Sequence, residues 1–310
     1  MSFKKISMIG AGVMGEALIA ALIKAGHDPL HIEIFEKRPE RAQELCARYG
    51  IKQGSDLSGS QVILLVVKPQ DLEALLVQIK SQITSNTLII SFVAGKKIST
   101  ISSALESPNP IVRVMPNTPA LVGKGASGYS FNEMLDDHQK GFVSDLLNAA
   151  GKAVEVSEDL QDAVTATSGS GPAYFFAFVE AMVKGAQQLG LSEADANELA
   201  VQTLIGAAEL IATTGKSATT LRENVTSPNG TTFAALQSFA KDDLEQVVTA
   251  PLLVVLHHIL QNAVDLGHDL HVHQRLDIDF TRLNDHFNNL DGERVELGMV
   301  NIEVSHQDVY

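Results

Sequence analysis

Two glycine-punctuated segments of this 310-residue chain carry the residue types that chemistry needs. The first is Ile9-Gly10-Ala11-Gly12-Val13-Met14-Gly15, between an apolar run and a helical pattern. It matches G-x-G-x-x-G, the turn that cradles a dinucleotide: Gly10 for the tight turn, Gly12 for close approach to a pyrophosphate, Gly15 for helix–strand packing. A helix starting there also aims N–H donors and partial positive charge at the phosphates. The second segment, far downstream, is Val225-Thr226-Ser227-Pro228-Asn229-Gly230-Thr231-Thr232. It sets hydroxyls beside a Pro-Asn-Gly turn at the start of an apolar helix. The backbone amides of Gly230, Thr231 and Thr232 open that helix and suit an anion, and Ser227 adds a side-chain donor. The same letters also describe a plain helix start capped by Thr231 or Ser227, and both readings stand at this point.

Ligands on doubly wound sheets bind beyond the carboxyl ends of the strands, so the turns there should complete a cofactor cleft. The second strand ends in Phe35-Glu36-Lys37-Arg38. An acidic residue favours the free ribose diol of NAD, whereas basic residues favour the 2′-phosphate of NADP. Lys37 and Arg38 tip the expectation to NADP(H) over NAD(H). The third strand ends in Val66-Val67-Lys68-Pro69 and the fourth in Val93-Ala94-Gly95, which put Val66 to Pro69, Ala94 and Gly95 along the cleft. Lys68 has three open roles: catalytic acid, phosphate contact or surface lysine. In Met115-Pro116-Asn117-Thr118-Pro119 two prolines fix the backbone around Asn117, either as a pocket wall against the nicotinamide or as a structural turn.

The elements that must hold these residues follow from periodicity. Strand-like runs at Ile6–Ile9, His31–Phe35, Val62–Val67, Thr87–Phe92, Ile111–Met115, Ala126–Ser130 and Ala153–Val156 alternate with helical patterns. This predicts an α/β domain over 1–156, a Rossmann-type, mostly parallel, doubly wound sheet. From 157 to 270 no clear strand appears, and an all-α domain is expected. Its helix from Pro172 is apolar on nearly every side, through Phe175, Phe176, Phe178 and Met182, so it belongs in a core or against a second subunit. Ser168-Gly169-Ser170-Gly171 before it suits an N-cap with close packing, or a border of the substrate pocket. A helix beginning near Pro251 is a weaker expectation, and 271–310 is a polar tail without a defensible motif.

Composition narrows the function. Lys and Arg number 23 against 37 Asp and Glu, so the net charge is 23 − 37 = −14. That disfavours nucleic acid and acidic membranes as partners. A single Cys46 cannot form an internal disulfide, and with no long apolar span a cytoplasmic protein is expected. His271-x-His273 lacks a carboxylate framework, so no metal is expected.

Taken in order, GAGVMG, VVKPQ, VAG, VRVMPNTPALVGKGASG, SGSGPAYFFAFVEAM and LRENVTSPNGTTFAAL resemble the pyrroline-5-carboxylate reductases. The resemblance spans residues 1 to about 245. It implies NAD(P)H-dependent reduction of the cyclic imine 1-pyrroline-5-carboxylate to L-proline. It also implies a Rossmann domain, and a helical domain interleaved with that of a twin subunit in a homodimer open to further assembly, with the active site near the dimer interface. Thr232 stands where the family has its substrate-contacting Thr, so the resemblance assigns its hydroxyl to the ring nitrogen. Ser227, Gly230 and Thr231 complete the substrate set.

The chain departs from the family at three places. It reads SPNG for the usual SPGG, a change Asn229 can absorb because Asn tolerates left-handed φ. Residues 215–218 lack the frequent acidic-then-His-Pro pattern, so no substrate contact carries over there. The tail after Pro251 matches poorly. Two alternatives remain: a non-catalytic NADP(H)-binding sensor, and a β-hydroxyacid dehydrogenase-like enzyme, for which Lys184 lies on the right helix but outside the expected glycine-rich setting.

Overall fold

The computed structural model of the chain describes residues 3–265. In chain order β1 (Ile6–Ile9), α1 (Val13–Lys24), β2 (Ile32–Phe35), α2 (Pro39–Tyr49), β3 (Lys52–Gln53), β4 (Val62–Leu65), α3 (Leu72–Ile79), β5 (Leu88–Ser91), α4 (Ile98–Leu105) and β6 (Ile111–Met115) alternate. They are followed by β7 (Gly125–Phe131), α5 (Asp137–Ala150) and β8 (Gly151–Glu155). The sheet order is β3-β2-β1-β4-β5-β6-β7-β8. Every pairing is parallel except β6 with β7. The mostly parallel, doubly wound sheet is thus the one expected. β1, β4 and β5 are buried at every position, because helices cover both faces of the sheet.

Local chemistry sets the helix limits. Pro39 opens α2 where a missing N–H costs nothing, and Gly50 closes it at φ +69°. Asp136 and Gln139 form a reciprocal capping box at the start of α5. Glu16 on α1 takes bonds from Arg41 and Arg48 of α2, which fixes the first two helices to each other. Cys46 on α2 is half-buried, and burial pushes its thiol pKa up.

Beyond β8 the described chain is helical: α6 (Gln161–Val164), a π-helical turn (Thr165–Gly169), α7 (Gly171–Gln188), α8 (Glu193–Thr214), α9 (Ala218–Asn224), α10 (Thr231–Lys241) and α11 (Leu244–Asp265). Ser192 caps α8 by accepting from the Asp195 amide at 3.2 Å. The core alternative for the helix after Pro172 is not met. α7 packs mainly on α8 and the π-turn, which leaves Phe175 58% and Phe176 60% exposed. A pair of helices buries one face of each and leaves the other bare.

α11 also differs from expectation. It begins at Leu244, runs through Pro251 and packs back on the π-turn, with Ala250 buried. The start of the expected tail at 271, and His271-x-His273 within it, lie outside the described residues. Among the described residues no helix is long and apolar enough to cross a membrane.

Candidate active site

The first glycine segment is stitched to two neighbouring strand ends. The Gly10 amide donates to Phe35 O at 2.9 Å, and the Val66 amide donates to Ile9 O at 2.9 Å. Gly10 sits at φ +90°, and a Cβ there would lie 2.3 Å from Val66 O. At Gly15 a Cβ would lie 2.7 Å from Gly10 O. These two glycines therefore serve close packing, as their spacing suggested. Gly12 differs: a Cβ would meet nothing within 4 Å, so its surroundings are open. It precedes α1 without any side-chain cap, so the first amides of α1 stay available to an anion. Ala11 is buried, Val13 exposed, and Met14 packs on the core.

Glu36 turns inward. Its carboxylate accepts from Ala11 N at 3.1 Å, from Arg38 N at 3.0 Å and from Arg38 Nε at 3.0 Å. The Arg38 guanidinium, helped by the two amides and opposed by burial, holds the Glu36 pKa down to about 2. A carboxylate with a depressed folded-state pKa stabilises the fold above its ordinary range. That contribution wanes as the pH falls below the ordinary carboxylate range and is gone once it has passed about 2. Glu36 thus braces the glycine loop, while Lys37 and Arg38 stand exposed beside it.

The turns after β4 and β5 complete this end of the sheet. Lys68 and Pro69 are exposed; the Lys68 carbonyl accepts from Asp71 N at 3.0 Å, and its ammonium has no hydrogen-bond or ionic partner among the described residues. Ala94 and Gly95 are exposed, with Gly95 at φ +70°. The next residue, Lys96, is buried and pairs with Glu73 of α3 at 2.8 Å, which ties the β5 turn to the helix following the β4 turn. Ile9 to Gly15, Glu36 to Arg38, Val66 to Pro69 and Ala94–Gly95 thus gather where the strand order reverses beside β1, the usual ligand crevice of such sheets. Asn117 is buried farther along, and both ends of its amide are engaged by main chain.

The hydroxyl-rich segment forms a tight turn. Gly230 N donates to Ser227 O at 3.0 Å, and Asn229 at the third position has φ +60°. With Pro228 before it, this is the arrangement of a type II turn, which normally asks for glycine there. Gly230 then precedes α10 at φ −78° with no side-chain cap. The capping alternative is therefore not met, and the amides of Thr231 and Thr232 face no side-chain acceptor. Ser227, Thr231 and Thr232 are exposed. α10 packs on α11 and α9 on α8. Among the described residues no hydrogen bond joins this turn to the glycine loop of the same chain.

Two polar joints that shape this region had no motif in the sequence. One is the Lys96–Glu73 pair. In the other, buried Arg113 of β6 pairs with Glu158 at 3.4 Å and Asp162 at 3.3 Å, while Glu158 also accepts from Ile98 N at 2.7 Å. An arginine inside an apolar strand pattern was the one available signal, since a charge so placed needs partners.

Residues 158–258 match the family model described as pyrroline-5-carboxylate reductase dimerisation. Residues 5–95 match one described as NADP oxidoreductase, coenzyme F420-dependent. Among curated proteins, the pyrroline-5-carboxylate reductase of Corynebacterium melassecola is 40% identical over 77% of this chain and 91% of its own length. That of Pseudomonas aeruginosa is 36% identical over 86% of this chain and its full length. Among solved structures, a pyrroline-5-carboxylate reductase from Coxiella burnetii superposes with TM-score 0.79 and 32% identity, covering 84% of this chain and 98% of its own. A Plasmodium falciparum pyrroline carboxylate reductase with NADP bound gives 0.73 at 28% identity, over 84% and 98%.

Proposed function

Because the chain belongs to the pyrroline-5-carboxylate reductase family, an oxidoreductase family acting on a C=N bond, we propose that it reduces 1-pyrroline-5-carboxylate to L-proline with NADPH. This reading takes precedence over the sensor and the β-hydroxyacid dehydrogenase. One observation carries it: the uncapped, hydroxyl-flanked start of α10 behind the left-handed Asn229, in a chain that also holds an open glycine loop.

The residues fit a dinucleotide, since the surroundings of Gly12 are open and the first amides of α1 lack caps. When bound, the reduced nicotinamide supplies the hydride. The chain's own part is positional. The glycine loop and α1 hold the pyrophosphate. Lys37 and Arg38 meet the 2′-phosphate, while Glu36 stays engaged with Ala11 and Arg38 and offers no free acceptor to a ribose diol. The turns at Val66–Pro69 and Ala94–Gly95 line the cleft. The amides of Thr231 and Thr232, with Ser227, hold the substrate carboxylate, while the Gly230 amide, expected among these donors, closes the turn onto Ser227 O. The Thr232 hydroxyl would donate a hydrogen bond to the ring nitrogen, which takes up that proton as the C=N bond is reduced to a secondary amine, and solvent would return a proton to the exposed Thr232 oxygen.

NADPH oxidation by the purified chain with pyrroline-5-carboxylate tests this directly. Turnover is expected, with kcat/KM on the order of ten times higher for NADPH than for NADH, the worth of a charge-assisted phosphate contact. No turnover by a chain that binds NADPH would sink the reductase reading. Equal efficiency would sink the Lys37 and Arg38 assignment alone.

The bare face of α7 and α8 belongs in a homodimer, which also brings the α10 turn of one subunit to the cleft of the other. Phe176→Asp puts a charge in that face and should convert the dimer to a monomer in light scattering, with turnover lost. A variant that stays dimeric and active would contradict this interface.

A further inference from the structure

Asn117 was read either as a pocket wall against the nicotinamide or as part of a structural turn, and the bonds it makes within the chain point to a task of their own. It lies just beyond β6, 8% exposed. Its Oδ1 accepts from Ala126 N at 2.9 Å, across the loop that joins β6 to β7. Its Nδ2 donates to Ser168 O at 3.0 Å, inside the π-turn that leads to α7. One side chain thus closes the loop at the cleft end of β6 and fastens it to the helical part of the chain.

The joint is tight on both sides. A Cβ at Gly169 would lie 2.5 Å from Met115 Cε, so the π-turn rests on the last residue of β6. Tyr174 of α7 donates to Ala166 O at 3.1 Å, and Ser168 Oγ donates to Val164 O at 3.0 Å. α11, which packs on α10, also lies on the π-turn. A π-turn is an irregular step in a helix that neighbouring contacts must hold in place. The register of α7 against the sheet therefore depends on what grips Thr165–Gly169.

We propose that Asn117 is a positioning residue: it locks the π-turn to the β6 loop, and so sets α7, which carries the proposed dimer face, against the sheet, and through that face the substrate turn of one subunit against the cofactor cleft of the other. The inference rests on the reductase reading for its catalytic consequence, not for the lock itself. Asn117 needs to touch neither cofactor nor substrate to do this. Misplacing the two halves by an ångström is enough to cost on the order of tenfold to a hundredfold in rate.

Asn117→Asp separates this role from a direct contact. The variant keeps the acceptor for Ala126 but sets a second carboxylate oxygen against Ser168 O. That carbonyl raises the carboxyl's pKa, and protonation restores the missing donor. A raised folded-state pKa means the lock is present at low pH and lost as pH rises through it. In Asn117→Asp, kcat/KM for pyrroline-5-carboxylate should fall on the order of tenfold or more at about pH 8, and recover towards wild type as the pH drops to about 5.5. NADPH affinity should stay within about twofold throughout, and the melting temperature relative to wild type should follow the same pH trend. A loss of NADPH affinity with kcat retained would make Asn117 a cofactor ligand and overturn the proposal, as would a pH-independent loss of activity. A wild type inert towards the imine would sink the reductase reading, while the pH trend of the melting temperature would still decide whether the lock exists.

Discussion

Thr232→Ala is expected to lower kcat by about two orders of magnitude, the usual worth of one well-placed proton donor or hydrogen bond at a reacting atom. The hydroxyl is exposed at the start of α10 and makes no bond among the described residues. Its removal should therefore leave the melting temperature and NADPH affinity unchanged. Thr232→Ser, which keeps the hydroxyl, should retain most of the rate. Steady-state kinetics on the three proteins decide the matter. Undiminished kcat in Thr232→Ala would remove the hydroxyl from the mechanism and leave the backbone amides of Thr231 and Thr232 as the main polar contribution of the loop.

Gly10→Ala is the change expected to do most damage to the cofactor cleft. The residue has φ +90°, and the new methyl would sit 2.3 Å from Val66 O, a backbone atom that cannot rotate away. Either the glycine loop or the β4 turn must move, at a cost of several kcal/mol. A drop of many degrees in melting temperature should accompany loss of NADPH binding. Gly12→Ala is the informative contrast. Its methyl meets nothing within 4 Å among the described residues, so its melting temperature should match wild type while NADPH binding weakens. Equal thermal behaviour of the two variants in calorimetry would refute the division of labour between packing and ligand approach.

Much of the sheet could be read from the letters. β1 and β6 form over the expected residues because each is a compact apolar run bounded by Gly, Pro or Asn. α2 likewise begins at Pro39 and ends before Gly50. β3 was missed: it is two exposed residues, Lys52 and Gln53, paired to β2, with no apolar signal at all. The π-turn was missed because a change of hydrogen-bond register leaves no trace in composition. α11 was expected from Pro251 because proline opens helices more readily than it interrupts them, and only the packing on the π-turn explains its passage through Pro251.

The site divides in the same way. The glycine loop has a spacing rule, so its position and the burden on each glycine were predictable. The direction of Glu36 was not, since nothing in the sequence says that its carboxylate accepts from the Ala11 amide. Asn117 was noticed for its prolines, yet its partners lie 9 and 51 residues away, beyond the reach of any local pattern.

In the homodimer proposed above, the bare apolar face of α7 and α8 would make the fold of this protein a function of its own concentration. A helix pair that exposes Phe175, Phe176, Leu199 and Ile205 completes its hydrophobic ledger only when a partner arrives. By mass action each tenfold dilution then withdraws stability from the helical half, about 1.4 kcal/mol per mole of dimer. The sheet, with its own buried strands, has no such dependence. Scarcity therefore acts on this chain as a denaturant directed at one half.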